Sequence, residues 1–429
     1  MAVIAGNDGV DVKVATSEHL ASYSKAQAQL DAFKVPNLYD SNDPNARVFI
    51  ALFDGTGNDA INAPAHITNV GILKKQLEDI NSQNPNIRGA YKEGPGTQDG
   101  AMGTLDGALG VTYNARIETM YEKFLLQSES WLQENPNAKI SVVSVGFSRG
   151  AEQAAGFSRI VAERGVQDIQ SQIVQAPHDG SDQTSISYTA SPLVIGDTIP
   201  QALGLFDPVA TGIPSLNDRR PPPTVITGFQ ISAADERWMQ FPATNYVNEG
   251  LSADGRFLRV MTAGAHSDIG GGYEKNGLPY RNFNMMSQFL NGALGDNLIK
   301  KLDIPADPAM SVIHDSSQHK VYWVKMSERT EKTSLDFFGK KMEPMNPTME
   351  QYTKNAKALG TQDNASTASD DNKLGSKVDA TLPPATVPTT RSEVKSVVDS
   401  GFLTVADSPS NRMLTQLREL PRTPAQAKL

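Results

Sequence analysis

The chain has 429 residues, 48 acidic against 39 basic, a formal net charge of −9 and no cysteine. The missing cysteine excludes disulfides, thiolate metal sites and cysteine nucleophiles, and an acidic chain without a Lys/Arg cluster is not built to hold nucleic acid. The length allows one large catalytic domain with appendages or two modest domains, and a hydrophobic content of 39% suggests a sizeable loop-rich or disordered fraction. Met1 to Gly9 has no basic start and no sustained apolar core, so it does not read as a secretory signal. No run approaches the ~18 apolar residues of a membrane span. The expectation is a protein made in the cytoplasm without a cleavable signal, any export requiring a dedicated machine.

Residues 1–46 read as a polar N-terminal extension with a helix near Glu18 to Phe33. The first core strand is Val48 to Phe53, a continuous apolar run of the kind buried in a parallel sheet, ending in the glycine-rich turn Asp54-Gly55-Thr56-Gly57-Asn58. Helical spacing follows over Asn69–Ile80 and again over Tyr113–Leu132, where Ile117, Met120, Tyr121, Phe124, Leu125 and Trp131 share a face. The strand Ile140–Val145 leads through Gly146-Phe147-Ser148-Arg149-Gly150 into a helix beginning at Ala151. A polar insertion spans 166–195, and Ala202–Phe206 and Phe257–Met261 read as further strands. Gly228–Glu236 lies between these two strands, after a proline-rich excursion, and Asn284–Leu302 reads as a closing helix. This β-α alternation predicts an α/β fold with a mostly parallel central sheet flanked by helices, insertions and a C-terminal extension. The catalytic domain is expected over 47–303. An unassigned segment over 304–354 with an extra strand at Val321–Val324, a Ser/Thr/Asn/Asp/Pro-rich linker over 355–395 and a tail over 396–429 complete the chain.

Strand, Gly-x-Ser-x-Gly, helix is the layout of a nucleophile elbow, in which a tight turn lifts a serine hydroxyl above the sheet. Ser148 therefore needs a base, and the base needs an acid to hold its tautomer. Of six histidines, His266 follows a core strand directly, within Gly264-Ala265-His266-Ser267-Asp268-Ile269-Gly270-Gly271-Gly272-Tyr273, and is the expected base. Asp207, directly after the Ala202–Phe206 strand and midway between Ser148 and His266, is the expected acid; the order Ser, Asp, His is that of α/β-hydrolases. Asp207 before Pro208 also suits a helix N-cap, and Asp235 and Asp268 are rival acids. For the oxyanion, the backbone N–H of Arg149 is one expected donor, and Gly55 or Thr56 supplies the other. Asp54-Gly55-Thr56-Gly57 equally reads as a plain tight turn, and lacks the Gly-Lys-Ser/Thr of a phosphate loop.

Five motifs in order carry a resemblance: Phe53 to Asn58, Gly146 to Ala151, Gly204 to Val209, Asp235-Glu236-Arg237 and Gly264 to Tyr273. Over about 47–290 the chain resembles the catalytic domain of bacterial type VI secretion phospholipase effectors, first lipase family, and the α/β-hydrolase group around it. The resemblance implies a Ser-Asp-His hydrolase with Ser148, Asp207 and His266 on the family's triad motifs. It also implies attack on glycerophospholipid acyl esters, delivery to the periplasm or envelope of a competitor cell, a secretion-apparatus carrier or adaptor, and a cognate immunity protein. One departure is Gln230, where the family often has a histidine five residues before Asp235.

No cofactor is expected. Asp54, Asp207 and Asp268 could offer oxygen ligands to calcium, but no spacing matches a calcium loop. A phospholipase A is the leading reading, a serine esterase acting on a different ester the second, and a silent scaffold the third. A lipase needs an apolar cap, for which Trp238–Phe241 and the 166–195 insertion are the candidates.

Overall fold

Val48, Ile50 and Leu52 pack into one hydrophobic cluster and Phe49, Ala51 and Phe53 into another, although they alternate along a single strand. A strand with apolar side chains on both faces must be covered on both faces, which forces a three-layer arrangement. The computed structural model describes residues 3–5, 10–61, 66–95, 113–175, 185–210, 219–236 and 243–315. The expected strand at Val321–Val324, the linker over 355–395 and the tail over 396–429 lie outside the described residues, as do His178, His319 and Trp238–Phe241.

In chain order the elements are strands β1 (Val3–Ala5) and β2 (Asp11–Val14), helix α1 (Ser17–Ala32), β3 (Ala46–Phe53), α2 (Asn69–Gln83), β4 (Ile87–Lys92), α3 (Tyr113–Glu134), β5 (Lys139–Phe147) and α4 (Arg149–Arg164). They continue with β6 (Gln172–Gln175), β7 (Ser185–Tyr188), β8 (Gln201–Phe206), β9 (Val225–Ala233), β10 (Gly250–Leu251), β11 (Phe257–Thr262), α5 (His266–Gly270), α6 (Gly277–Leu294) and β12 (Val312–His314). The central sheet runs β10-β11-β9-β8-β5-β3-β4, parallel throughout except at the β10–β11 edge. Helices α1, α2 and α6 cover one face through Tyr23, Leu73, Leu77, Phe283 and Phe289. Helices α3 and α4 cover the other through Tyr121, Phe124, Ala154 and Phe157. The architecture is α/β-hydrolase-like, a mostly parallel sheet between helical layers.

Strand β4 lies on one side of β3 and β5 on the other, so the chain reverses direction across the sheet at β3. The crevice beyond the carboxyl ends of β3 and β5 is the switch point at which open α/β sheets take up ligands. A second, three-stranded sheet pairs β2 with β1 and with β12, joining the N-terminal segment to the far end of the described chain.

Three departures from the sequence-based elements have physical reasons. The closing helix is α6, beginning at Gly277 and ending at Leu294, whereas the apolar spacing suggested Asn284–Leu302. Pro279 reads as a breaker, yet sits in the first turn, where the N–H has no intrahelical partner to lose. Gly295 at φ +67° ends the helix, and residues 299–302 continue without helix, held by Asn291 Oδ1 on the Ile299 N–H and Asn284 Oδ1 on the Leu302 N–H. Strand β4 escaped notice because Arg88, Gly89 and Lys92 interrupt its apolar run. The described part of the 166–195 insertion contains the β6–β7 hairpin. It follows the C-terminus of α4 and bridges back through Val166 and Val194 before β8 begins. Helix α4 is about 24 Å long, so the described parts of this segment lie toward the amino ends of the strands. That is the wrong end of the sheet for a cap over Ser148.

Candidate active site

The turn after β5 is set by two close approaches. A Cβ on Gly146 would lie 2.3 Å from Gly150 O, and one on Gly150 would lie 2.4 Å from both Phe53 O and Asp54 O. With both glycines in place, helix α4 starts directly above the ends of β3 and β5, and Ser148 is forced to φ 58°, ψ −127°. Among the described residues, the non-glycine positions with positive φ are Ser148 and Asp207, at φ 38°. Such backbone strain costs of order 1–3 kcal/mol and persists only where the surroundings over-determine it. Here they do: the Ser148 N–H donates to Phe206 O at 3.0 Å and the Asp207 N–H to Ile231 O at 2.8 Å.

The side chains of these two residues meet one imidazole. His266 Nε2 is 2.7 Å from Ser148 Oγ, and His266 Nδ1 is 2.6 Å from Asp207 Oδ2. The buried carboxylate is an acceptor, so Nδ1 carries the proton and Nε2 is left to accept the Ser148 hydroxyl. Asp207 is fully buried and its other oxygen accepts the Ala233 N–H at 3.0 Å, which fixes the carboxylate plane. Phe147 packs its ring on the His266 ring, centroids 4.7 Å apart. The His266 backbone N–H donates to the buried Glu236 Oε2 at 3.0 Å.

The rival acids have other partners. Asp235 Oδ2 accepts the Gly264 N–H at 2.8 Å. Asp268 Oδ1 accepts His314 Nδ1–H at 2.6 Å, while its Oδ2 accepts the Ala265 N–H at 2.9 Å and the His314 N–H at 3.0 Å. Burial raises the Asp268 pKa, against the pull of His314. His19 caps α1 and His66 Nδ1 lies 3.2 Å from Gly272 O, so neither approaches Ser148 through these contacts. Gln230 donates to Thr244 O and Ser232 Oγ and accepts the Tyr246 N–H, which makes it a structural residue of β9.

Around the serine, the two expected oxyanion sources differ. Arg149 is the first residue of α4, where the N–H is not consumed by the helix. In the loop after β3, the Gly55 N–H donates to Asp54 Oδ1 at 2.8 Å. Gly55 is thereby committed elsewhere, and Thr56 is the remaining residue of that pair. Arg149 Nε donates to Thr56 Oγ1 at 2.7 Å, tying this loop to the start of the helix. Asp54 also accepts hydroxyls from Thr68 and Tyr91, at 2.8 and 2.7 Å. Burial pushes its pKa up to about 6 despite these donors.

Two residues absent from the sequence-based site hold its frame. Glu152, one turn into α4, accepts Arg219 Nε and Tyr246 O–H on one carboxylate oxygen, each at 2.7 Å, with all three side chains buried. His314, which the sequence could not place against the sheet, lies on β12 beside Asp268. Among the described residues no cluster of His, Asp or Glu is arranged to hold a metal ion: Asp54, Asp207 and Asp268 each face different partners. No helix of the described residues is long and apolar enough to cross a membrane.

Residues 47–191 match the family model "T6SS, Phospholipase effector Tle1-like, catalytic domain", so the resemblance read from the motifs holds over that stretch. It includes Ser148 and ends before Asp207 and His266. A structure of an uncharacterized protein from Pseudomonas aeruginosa is similar at 16% identity, covering 83% of this chain and 58% of that one, with a TM-score of 0.36. The Tle1 effector bound to the VgrG spike of the type 6 secretion system is similar at 20% identity, covering 54% of this chain and 52% of that one, with a TM-score of 0.30. An esterase from Thermogutta terrifontis with butyrate bound is similar at 14% identity, covering 66% of this chain and 93% of that one, with a TM-score of 0.28. The chain spans somewhat over half the length of the first two. No curated protein matches it.

Proposed function

We propose that the protein is a serine ester hydrolase that cleaves acyl chains from membrane glycerophospholipids, with Ser148 as nucleophile, His266 as base and Asp207 as the acid that holds it. The observation that carries this reading is the continuous Asp207–His266–Ser148 chain of 2.6 and 2.7 Å contacts at the sheet's switch point. Ser148 Oγ attacks the acyl carbonyl carbon while its proton passes to His266 Nε2. The resulting oxyanion is held by the N–H groups of Arg149 and Thr56. Collapse returns the proton from Nε2 to the departing alcohol oxygen, releasing lysophospholipid and leaving an acyl-serine. Water, deprotonated by His266, then attacks the acyl carbon; fatty acid leaves and Ser148 regains its proton. No step calls on a metal.

The phospholipid substrate is supported by the match of residues 47–191 to a phospholipase effector family. The match to a type VI secretion effector family also supports delivery by a secretion apparatus; we further propose an antibacterial toxin that acts in a target cell's periplasm or envelope and is neutralised in its maker by a cognate immunity protein. The test is product analysis with phospholipid vesicles and a short-chain chromogenic ester, wild type beside Ser148→Ala. Fatty acid and lysophospholipid from wild type alone support a phospholipase A and identify the acyl position cut. Ester hydrolysis without lipid products supports a serine esterase on a different ester. Silence on both substrates overturns the hydrolase reading. Killing that is equal from cytosol and periplasm overturns the envelope target.

A further inference from the structure

Helix α5 begins with His266, and its third residue, Asp268, faces away from Ser148 into a second buried pair. The Asp268 carboxylate accepts three donors. One is the N–H of Ala265, the residue before His266; the other two are the backbone N–H and the Nδ1–H of His314. Asp268 is 0% exposed and His314 1%. Tyr273, five residues beyond Asp268, stacks on the His314 ring with centroids 3.8 Å apart. His314 is itself held in register, since β12 pairs with β2 and the Asp315 N–H donates to Asp11 O. On the other side, Gly264 at φ +128° brings the chain so close that a Cβ there would lie 2.6 Å from Asp268 Cβ. The turn that aims His266 is thus gripped through one carboxylate by a strand 46 residues further along the chain.

We infer that His314 is a positioning residue for His266: through Asp268 it holds the start of α5 in the register that brings His266 Nε2 to Ser148 and Nδ1 to Asp207. This inference rests on the hydrolase reading for its kinetic consequence, though not for its spectroscopic one. An error of about 1 Å in a reacting group costs up to about 100-fold in rate, and a one-residue anchor at the helix start controls displacements of that size. Removing His314 should therefore lower kcat and leave KM alone, because the substrate touches neither His314 nor Asp268.

The test compares full-length wild type with His314→Phe, which keeps an aromatic ring against Tyr273 and loses the Nδ1 donor, and His314→Asn, whose amide N–H takes the Nδ1 position. Proton spectra should show two strongly deshielded imidazole protons in wild type, one for each 2.6 Å carboxylate–imidazole bond. His314→Phe should lose one and shift or broaden the other, with kcat on a short-chain ester down about 10- to 100-fold and KM within about twofold. His314→Asn should recover most of kcat and restore the His266 proton. An unmoved His266 proton with kcat within about twofold in His314→Phe overturns the inference. So does a loss of activity in both variants that tracks only the folded fraction. If His314→Phe does not fold cooperatively, His314→Gln, which displaces the donor by one bond, takes its place and should fall between the two. A wild type that hydrolyses no ester while the His266 proton still moves in His314→Phe removes the hydrolase reading and leaves the positioning role standing.

Discussion

Among the described residues, two carboxylate–imidazole pairs have equal length, and helix α5 contributes one member to each. Asp207–His266 and Asp268–His314 are both 2.6 Å contacts with the carboxylate at 0% exposure. They differ in the solvent access of the imidazole and in the backbone beneath. His266 retains 8% exposure and meets a serine hydroxyl, whereas His314 is closed off at 1% beneath Tyr273. Ser148 and Asp207 sit on positive-φ backbone, while Asp268 and His314 sit on an ordinary helix and an ordinary strand. A short hydrogen bond between carboxylate and imidazole is therefore not in itself a mark of chemistry. What distinguishes the first pair is a nucleophile at the second nitrogen and strained backbone placing the groups where no regular element would.

The largest expected effect breaks the first pair's output. Ser148→Ala should lower kcat by at least about 10⁴-fold, with His266→Ala similar, while both melt cooperatively. Next come the two carboxylates. Asp207→Asn should cost about 10⁴-fold by holding His266 in the wrong tautomer, leaving residual turnover and little change in melting temperature. Asp268→Asn should cost far less activity, yet destabilise by about 1–3 kcal/mol, because an amide cannot accept all three donors now on that carboxylate. Paired ester-hydrolysis and thermal-melt measurements decide it. Full activity in Asp207→Asn would return the acid's role to its rivals.

Asp54 sharpens the comparison as a buried carboxylate whose side-chain donors are neutral hydroxyls, from Thr68 and Tyr91. Its pKa is raised from the ordinary 3.8 to about 6 by desolvation. A raised carboxylate pKa means the folded state holds the proton longer than the unfolded chain. Stability through this group is therefore greatest below about pH 4, and is lost as pH rises through the window between 3.8 and about 6. The loss amounts to about 3 kcal/mol by pH 7. Asp54→Asn should flatten that part of the stability–pH curve, read by urea unfolding at a series of pH values. An unchanged slope between pH 4 and 6 would mean that Asp54 does not carry it.

The first pair was legible in the sequence and the second was not, for a physical reason. Ser148 and Asp207 directly follow core strands and His266 lies in the short turn after another, and a parallel sheet gathers the carboxyl ends of its strands in one crevice. Chain order and strand positions thus bring them together without any knowledge of packing. His314 reaches Asp268 only because β12 pairs with β2 in a separate sheet, and three-residue strands at a chain's periphery leave no apolar period to read. Glu152 and Arg219 were invisible for a related reason: a buried ion pair across 67 residues has no local signature. The same limit misplaced one of the two cap candidates, since nothing in the composition of the 166–195 insertion says at which end of the sheet it lies; the other, Trp238–Phe241, lies outside the described residues.

The smallest effect tests the strain beneath Ser148. Replacing alanine by glycine ordinarily destabilises by about 0.5–1 kcal/mol, because glycine has more freedom to lose on folding. At φ 58°, ψ −127° the sign should reverse. Alanine in Ser148→Ala inherits the unfavourable backbone, which costs of order 1–3 kcal/mol, and glycine in Ser148→Gly does not. Neither variant has the hydroxyl, so contacts with His266 cancel from the difference. Ser148→Gly should therefore be the more stable by about 1 kcal/mol, a rise of about 2–4 °C in melting temperature for a domain of this size. A Ser148→Gly that melts at or below Ser148→Ala would show that the elbow holds Ser148 without strain. The contrast between the two pairs would then rest on the serine contact and solvent access alone.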